Sequence, residues 1–162
     1  MVSRPGRNTP AEQNAGPALR ILRSRDLPPC FEELAADATC DDVRLLDVLR
    51  EDWAAGTMRF SAQGEALFVA MIGESLVGLC GLTRDPYTKA EGLGRVRRIY
   101  VRRKTRYAGA GRALLDAVAE QAREMGYARL RARAPVSAFA FYERSQFLRV
   151  VGEPCVTHVR PL

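Results

Sequence analysis

The sequence has little with which to bind a metal. It contains one histidine and four cysteines in 162 residues, and none of Cys30, Cys40, Cys80 and Cys155 forms a C-x-x-C pair. Structural zinc sites and redox dithiols use that close spacing. We therefore expect no metal site, and we expect the cysteines to be reduced and to pack as small core side chains.

Long apolar runs are also missing. No segment approaches the ~20 apolar residues that a membrane-spanning helix requires, and residues 1–17 lack the apolar centre of a signal peptide. That stretch is rich in Pro, Gly, Asn and Ala, which predicts a disordered tail. We expect one domain over residues 18–162, no membrane contact and a cytoplasmic location.

Acidic residues are absent where the basic residues concentrate. The net charge is +6, and residues 92–115, here called the basic segment, contain eight Lys and Arg and no Asp or Glu. Such a local field favours a polyanionic ligand, either a phosphorylated cofactor or a nucleic acid. Single-strand binders interleave aromatic and basic side chains, and only Tyr100 and Tyr107 do so here. Nucleic acid is therefore the weaker alternative.

The apolar pattern predicts an α/β fold. Helical spacing covers residues 31–34, 43–53, 111–125 and 137–147, and strand-like runs cover 19–23, 66–72, 76–82, 95–102, 128–134, 148–151 and 155–159. Gly73-Glu74-Ser75 predicts a hairpin turn, and Gly78 predicts a bulge. The strands on either side of the third helix should be parallel, because a helical crossover joins them. We predict a mixed, partly splayed β-sheet flanked by helices.

A glycine pattern lies between the fourth strand and the third helix. It reads Arg106-x-x-Gly109-x-Gly111, and it would expose successive N–H groups from Tyr107 to Arg112 at a helix start. Such a nest suits a pyrophosphate. The pattern fits neither a P-loop nor a dinucleotide-binding fingerprint. A plain tight turn is the alternative.

This pattern is similar to that of the GNAT superfamily of acyl-CoA-dependent N-acetyltransferases. The matching residues are Ile99-Tyr100-Val101, Arg106, Gly109, Gly111 and Ala113-Leu114-Leu115. A second family motif, Phe-Tyr-Glu-x-x-Gly-Phe, stands here as Phe141 to Phe147. The hairpin at Phe68 to Gly81 also looks like the family's second and third strands, and the resemblance spans roughly residues 18–160.

The resemblance implies acetyl-CoA as co-substrate and a primary amine as acceptor, with direct attack in a ternary complex. It implies that the backbone of Ile99, Tyr100 and Val101 pairs with the pantetheine arm, and that a bulge there turns an N–H to the thioester oxygen. Tyr142 would protonate the departing thiolate, although a core aromatic is the alternative. The pyrophosphate would lie on Arg106, Tyr107, Ala108, Gly109, Ala110, Gly111 and Arg112.

The chain departs from the family pattern at three places. Gln146 replaces a glycine, and Tyr107 stands where glycine is common. Arg97 and Arg98 occupy a strand region where many members carry a glutamate that acts as general base. His158, the only histidine, is a candidate base because this side-chain type titrates near neutral pH. Glu91, Glu153 and direct loss of the proton to water are the alternatives.

The acceptor pocket is the least determined part of the sequence. Trp53, Arg59, Phe60 and Tyr87 are candidate linings. If Arg97 or Arg98 faces the cleft, the acceptor should carry a carboxylate or phosphate; if both point outward, they form a solvated face. Two other functions stay open: an acyl-CoA-binding protein of the same fold without catalysis, and a nucleic-acid-binding module. A homodimer is also left open.

Overall fold

The computed structural model describes residues 16–162, so the predicted tail at 1–17 lies almost wholly outside the described residues. No helix in this part of the chain is long and apolar enough to cross a membrane. The strands are β1 Leu19–Ser24, β2 Ala66–Ile72, β3 Ser75–Arg84, β4 Leu93–Val101, β5 Arg129–Ala132, β6 Leu148–Arg149 and β7 His158–Pro161. The helices are α1 Phe31–Cys40, α2 Leu45–Ala55, α3 Ala110–Glu124 and α4 Phe139–Arg144.

All seven described strands form one sheet, in the order β1-β2-β3-β4-β5-β7-β6. β4 and β5 are parallel, and the other neighbours are antiparallel. This confirms the predicted mixed sheet and the parallel pair around α3. The predicted bulge at Gly78 is also confirmed, because the β2–β3 register shifts by one residue where Ala70 pairs with Gly78 and Met71 with Leu76.

Helices cover both faces of the sheet. Leu114, Leu115 and Val118 of α3 are fully buried and pack with residues of β2–β5 on one face. On the other face, α1 and α2 pack against Leu67, Leu79 and Tyr100. The apolar stripe of α3 recurs at helical spacing and leaves Glu120 and Arg123 in solvent, as an amphipathic surface helix requires.

The central strands separate along their length. β4 pairs with β5 only from Leu93 to Arg95, and the rest of β4, as far as Val101, has no β5 partner. In the same stretch β4 bulges against β3, since three steps of β4 from Arg97 to Tyr100 face two steps of β3. Arg98 takes the left-handed φ of 55° within this bulge. The sheet is therefore splayed, with an irregular free edge on β4.

The C-terminal part differs from the predicted elements. The helix predicted over 137–147 is a 3₁₀ turn at Val136–Ala138 followed by the short α4. The strand predicted over 155–159 is present, but its predicted start is wrong, because β7 begins at His158 and the segment before it turns at Gly152 and again at Cys155, which has a φ of 61°. Apolar Val156 gave this turn a strand-like pattern.

Candidate functional site

The loop before α3 ends in a row of free backbone donors. Gly109 has a left-handed φ of 85° and precedes the first helical residue, Ala110. Its carbonyl accepts the N–H of Ala113 at 3.0 Å. Within residues 16–162, no backbone carbonyl accepts from the N–H groups of Gly109, Ala110, Gly111 or Arg112. Unpaired donors and the positive end of the helix dipole together suit an anion.

The two glycines of the loop have different physical roles. A side chain on Gly109 would meet no atom within 4 Å, so its requirement is the left-handed φ. Gly111 is instead a packing position, because a Cβ there would lie 2.9 Å from the Phe141 ring of α4. The first turn of α3 therefore packs directly against α4.

We expect Gly111→Ala to lower the free energy of unfolding by up to about 2 kcal/mol. Overpacking against Phe141 costs about 1–3 kcal/mol, which outweighs the gain of about 1 kcal/mol from alanine's helix propensity. Denaturant unfolding measures the difference. The double variant Gly111→Ala/Phe141→Leu should recover most of the loss; a stabilised Gly111→Ala protein would contradict the packing role.

The side chain of Arg106 is engaged within the fold. It donates to the Val101 carbonyl at 3.1 Å and to the Asp41 carboxylate at 2.6 Å, and it lies 5.4 Å from the Tyr100 ring centroid. Its guanidinium thus joins the end of β4 to the turn that follows α1. Its backbone N–H donates to the Arg103 carbonyl at 3.3 Å, so neither this N–H nor the two engaged guanidinium nitrogens are free for the predicted contact with a pyrophosphate in this conformation.

Asp37 of α1 supports the same loop. Its carboxylate accepts the Tyr100 hydroxyl at 2.8 Å and the Arg103 N–H at 3.0 Å. Burial alone would raise the pKa of Asp37, but these two hydrogen bonds and the nearby guanidiniums hold it below the ordinary value. Asp37 is therefore ionised at neutral pH and braces the start of the loop.

Asp37→Asn should lower the free energy of unfolding at pH 7 by about 1.5–3 kcal/mol, the usual range for hydrogen bonds to a charged group. Because the folded pKa of Asp37 is depressed, its contribution is present above about pH 4 and is lost as the pH falls through the folded value. The difference in Tm between wild type and variant should therefore narrow below pH 4. Exposed Asp42→Asn is the control; equal Tm values for wild type and Asp37→Asn at pH 7 would contradict the brace.

Tyr142 and His158 lie together in the core. The Tyr142 ring stacks on His158 with centroids 5.5 Å apart and meets Phe147 edge-on at 5.2 Å. Burial raises the pKa of Tyr142 well above its ordinary value of ~10. His158 is fully buried; its Nδ1 lies 2.9 Å from the Thr157 hydroxyl, and its Nε2 lies 3.7 Å from Glu143. The structure thus brings the two predicted catalytic residues into contact.

The sheet face opposite α3 carries four arginines where β4 and β5 meet, here called the arginine cluster: Arg95, Arg97, Arg98 and Arg131. Val96 of β4 and both Leu130 and Ala132 of β5 pack on the α3 side. The neighbours of these residues, Arg95, Arg97 and Arg131, therefore point to the other side of the sheet. Buried Asp85 lies 3.6 Å from Arg95 and 3.1 Å from Arg131. Arg98 pairs with Asp52 of α2 at 3.2 Å.

The other candidate linings are spread around this face. Tyr87 is exposed and lies over the Arg95 guanidinium at 4.5 Å, whereas Phe60 is buried against Gly81. Trp53 packs on the α1/α2 core, and Arg59 donates to the Trp53 carbonyl. Glu153, a candidate base, is bound to Arg131 at 3.2 Å. Tyr87, Arg131 and Glu153 border a cavity of about 320 Å³.

Comparisons with known proteins place this fold in a family. The Acetyltransferase (GNAT) domain matches residues 35–160. The chain belongs to the GNAT acetyltransferase family. A proposed acetyltransferase from Exiguobacterium sp. 255-15 is similar in structure, with 26% identity, a TM-score of 0.78, and coverage of 89% of this chain and 93% of that one.

More distant structures show the same fold. A GNAT-family acetyltransferase from Staphylococcus aureus Mu50 has 17% identity and a TM-score of 0.69 over 90% of this chain and 99% of that one. An acetyltransferase from Streptococcus agalactiae 2603 has 16% identity and a TM-score of 0.67 over 89% and 98%. None of the curated proteins matches. Family and fold together support acyl transfer with a CoA-based donor. Within residues 16–162 no group of three metal-ligating side chains occurs.

Several residues of the site were missed from the sequence. Asp37 and Asp41 pair with the basic segment, and the acidic balance of residues 31–52 was the available signal for this contact. Asp85 is the buried counter-ion of Arg95 and Arg131, a contact that no local pattern marks. Phe141 explains Gly111, and no local pattern marks that contact because the two residues are thirty positions apart in the sequence.

Proposed function

We propose that the protein transfers an acetyl group from acetyl-CoA to a primary amine of a small molecule or peptide, by direct attack in a ternary complex. The observation that carries the proposal is the free edge of β4 leading into the donor row at α3. Pantetheine would pair with Ile99, Tyr100 and Val101, and the pyrophosphate would lie on the N–H groups of residues 109–112. Among the described residues, the β5-side edge of β4 has no strand partner beyond Arg95, and no backbone carbonyl accepts from the N–H groups of residues 109–112.

The transfer step exchanges one bond for another. The amine nitrogen forms a bond to the thioester carbonyl carbon, and an N–H at the β4 bulge stabilises the oxyanion. The carbon–sulfur bond then breaks, and Tyr142 gives its proton to the leaving thiolate. The raised pKa of Tyr142 keeps this phenol protonated. The products are the acetylated amine and CoA, and the Tyr142 proton is regained from water.

The proton of the attacking ammonium has two candidate routes. His158 is the candidate base, and Glu143, 3.7 Å from its Nε2, would take the proton onward to solvent. Both ring nitrogens of His158 face protein groups, and the ring is fully buried. Direct loss of the proton to water before binding is the alternative. Under that route, His158→Gln would leave the dependence of the rate on pH unchanged.

One observation favours a second function, an acyl-CoA-binding protein without catalysis. Arg97 and Arg98 occupy the β4 positions where many family members place an acid, so no carboxylate stands next to the bulge on that strand. For nucleic acid the structure offers little support, because Arg98, Arg102 and Arg106 of the basic segment pair with carboxylates of α1 and α2 and of the turn between them.

An amine panel with acetyl-CoA, read by release of free thiol, separates the two functions. Acetyl transfer predicts thiol release that requires a particular amine. A rise in Tm with acetyl-CoA, without amine-dependent thiol release, would favour the non-catalytic alternative. The absence of both effects would contradict the acyl-CoA assignment itself.

A further inference from the structure

The arginine cluster has one guanidinium too many for its carboxylates. Asp85 serves Arg95 and Arg131, Glu153 also reaches Arg131, and Asp52 holds Arg98. Arg97 has no carboxylate within 4.0 Å among residues 16–162, although it stands beside these paired neighbours on the same strand. The cluster therefore carries one uncompensated positive charge.

The surroundings of Arg97 make that charge costly. Its side chain is half-buried, and burial lowers the pKa of the guanidinium, which the charges of Arg98 and Arg95 lower further. Arginine nevertheless stays protonated in proteins. A half-buried cation without a partner is unfavourable, and an anion bound from outside would relieve that cost. The planar fork of arginine suits an oxyanion with two oxygens.

The position of Arg97 on β4 connects this charge with the reaction. Arg97 is the last residue before the bulge, beyond the point where β4 and β5 part. Ile99 is two positions further along β4, on the other side of the bulged residue Arg98. An anionic group on Arg97 would therefore lie a few bonds from an amine that attacks at the bulge. Tyr87, close to Arg97, also borders the cavity of about 320 Å³ on this face.

We propose that the acceptor is a small amine carrying a carboxylate or phosphate a few bonds from its nitrogen, and that Arg97 binds this anionic group. The proposal rests on the acetyl transfer proposed above, and it adds the class of acceptor and the residue that selects it.

The test uses matched amines on the full-length protein. β-Alanine is compared with β-alanine amide, and phosphoethanolamine with ethanolamine, by kcat/KM for thiol release from acetyl-CoA. Wild type should prefer the anionic member of at least one pair by about 10- to 100-fold, as a charge-assisted bidentate contact allows. The pair in which the anionic amine is preferred more strongly shows whether the acceptor carries a carboxylate or a phosphate. Arg97→Gln should remove the preference and spare the neutral amines.

Arg84→Gln is the matched control. It removes the same charge from an exposed position on the α3 side of β3, and it should keep the wild-type preference. Arg97→Gln should also melt at or above the wild-type Tm, because it removes an unpaired half-buried charge; a Tm lower by several degrees would contradict the unpaired state and the proposal.

The remaining outcomes separate this proposal from the proposed function. If wild type acetylates neutral and anionic amines equally, or if Arg97→Gln keeps the preference, the role of Arg97 is overturned while acetyl transfer stands. If no amine in a broader panel yields thiol, acetyl transfer fails and the acceptor class fails with it.

Discussion

Gly109→Val should weaken acetyl-CoA binding by about 100-fold while the protein still folds. A β-branched residue at a φ of 85° is strained by about 1–3 kcal/mol, so the backbone should turn away and the donor row before α3 should lose its alignment. Loss of two hydrogen bonds to phosphate, at about 1.5 kcal/mol each, corresponds to a fall in affinity of about 100-fold. Isothermal titration with acetyl-CoA measures it.

The same helix offers a matched control for this variant. Gly126, just beyond the other end of α3, also has a φ of 85°, and a Cβ there would likewise meet no atom within 4 Å. Gly126→Val should therefore impose the same backbone strain and a similar loss of stability, while acetyl-CoA affinity stays at the wild-type value. If Gly109→Val bound acetyl-CoA as tightly as Gly126→Val, the pyrophosphate would not lie on this loop.

Tyr142→Phe should slow turnover by about 10²- to 10⁴-fold, the range for a general acid, without weakening acetyl-CoA binding. The ring, its stacking on His158 and its contact with Phe147 all remain in the variant. Steady-state rates with the best acceptor, together with titration of acetyl-CoA, separate the two quantities. Because burial raises the pKa of Tyr142, the wild-type rate should show no loss from its ionisation up to about pH 10.

Tyr127→Phe controls for removal of a partly buried phenol. The Tyr127 hydroxyl donates to the Gly64 carbonyl at 2.8 Å, beyond the far end of α3 from Gly109. Its loss should lower the Tm and leave kcat unchanged. If kcat were unchanged in Tyr142→Phe as well, Tyr142 would not be the general acid and its role would be that of a core aromatic residue.

Local patterns were sufficient to predict the frame of the site. The hairpin around Gly73, the bulge at Gly78, and the parallel strands around α3 follow from short-range periodicity and glycine placement, and the structure has all three. The predicted helix start after the glycine pattern is also present, and the structure adds that Gly109 is left-handed. These features depend on the backbone conformation of a few neighbouring residues, and the residue types at those positions largely determine that conformation.

Contacts between distant residues could not be predicted in the same way. Arg106 was expected to face a phosphate, but its guanidinium reaches Asp41, sixty-five positions earlier. Whether Arg97 and Arg98 face the cleft depended on a bulge that puts Arg98 at a positive φ, and a simple alternation of strand residues would have sent them to opposite faces. Which charges meet is decided by tertiary packing, not by local sequence.

Direct transfer in a ternary complex is tested most directly by following a labelled acetyl group from acetyl-CoA. Direct attack predicts that label appears on the acceptor amine and that protein incubated with acetyl-CoA alone stays unlabelled. The Cys80 thiol supports this expectation, because its burial near Tyr142 raises its pKa and keeps it from acting as a thiolate nucleophile. Label that first accumulates on the protein and then passes to the amine would contradict direct transfer in a ternary complex.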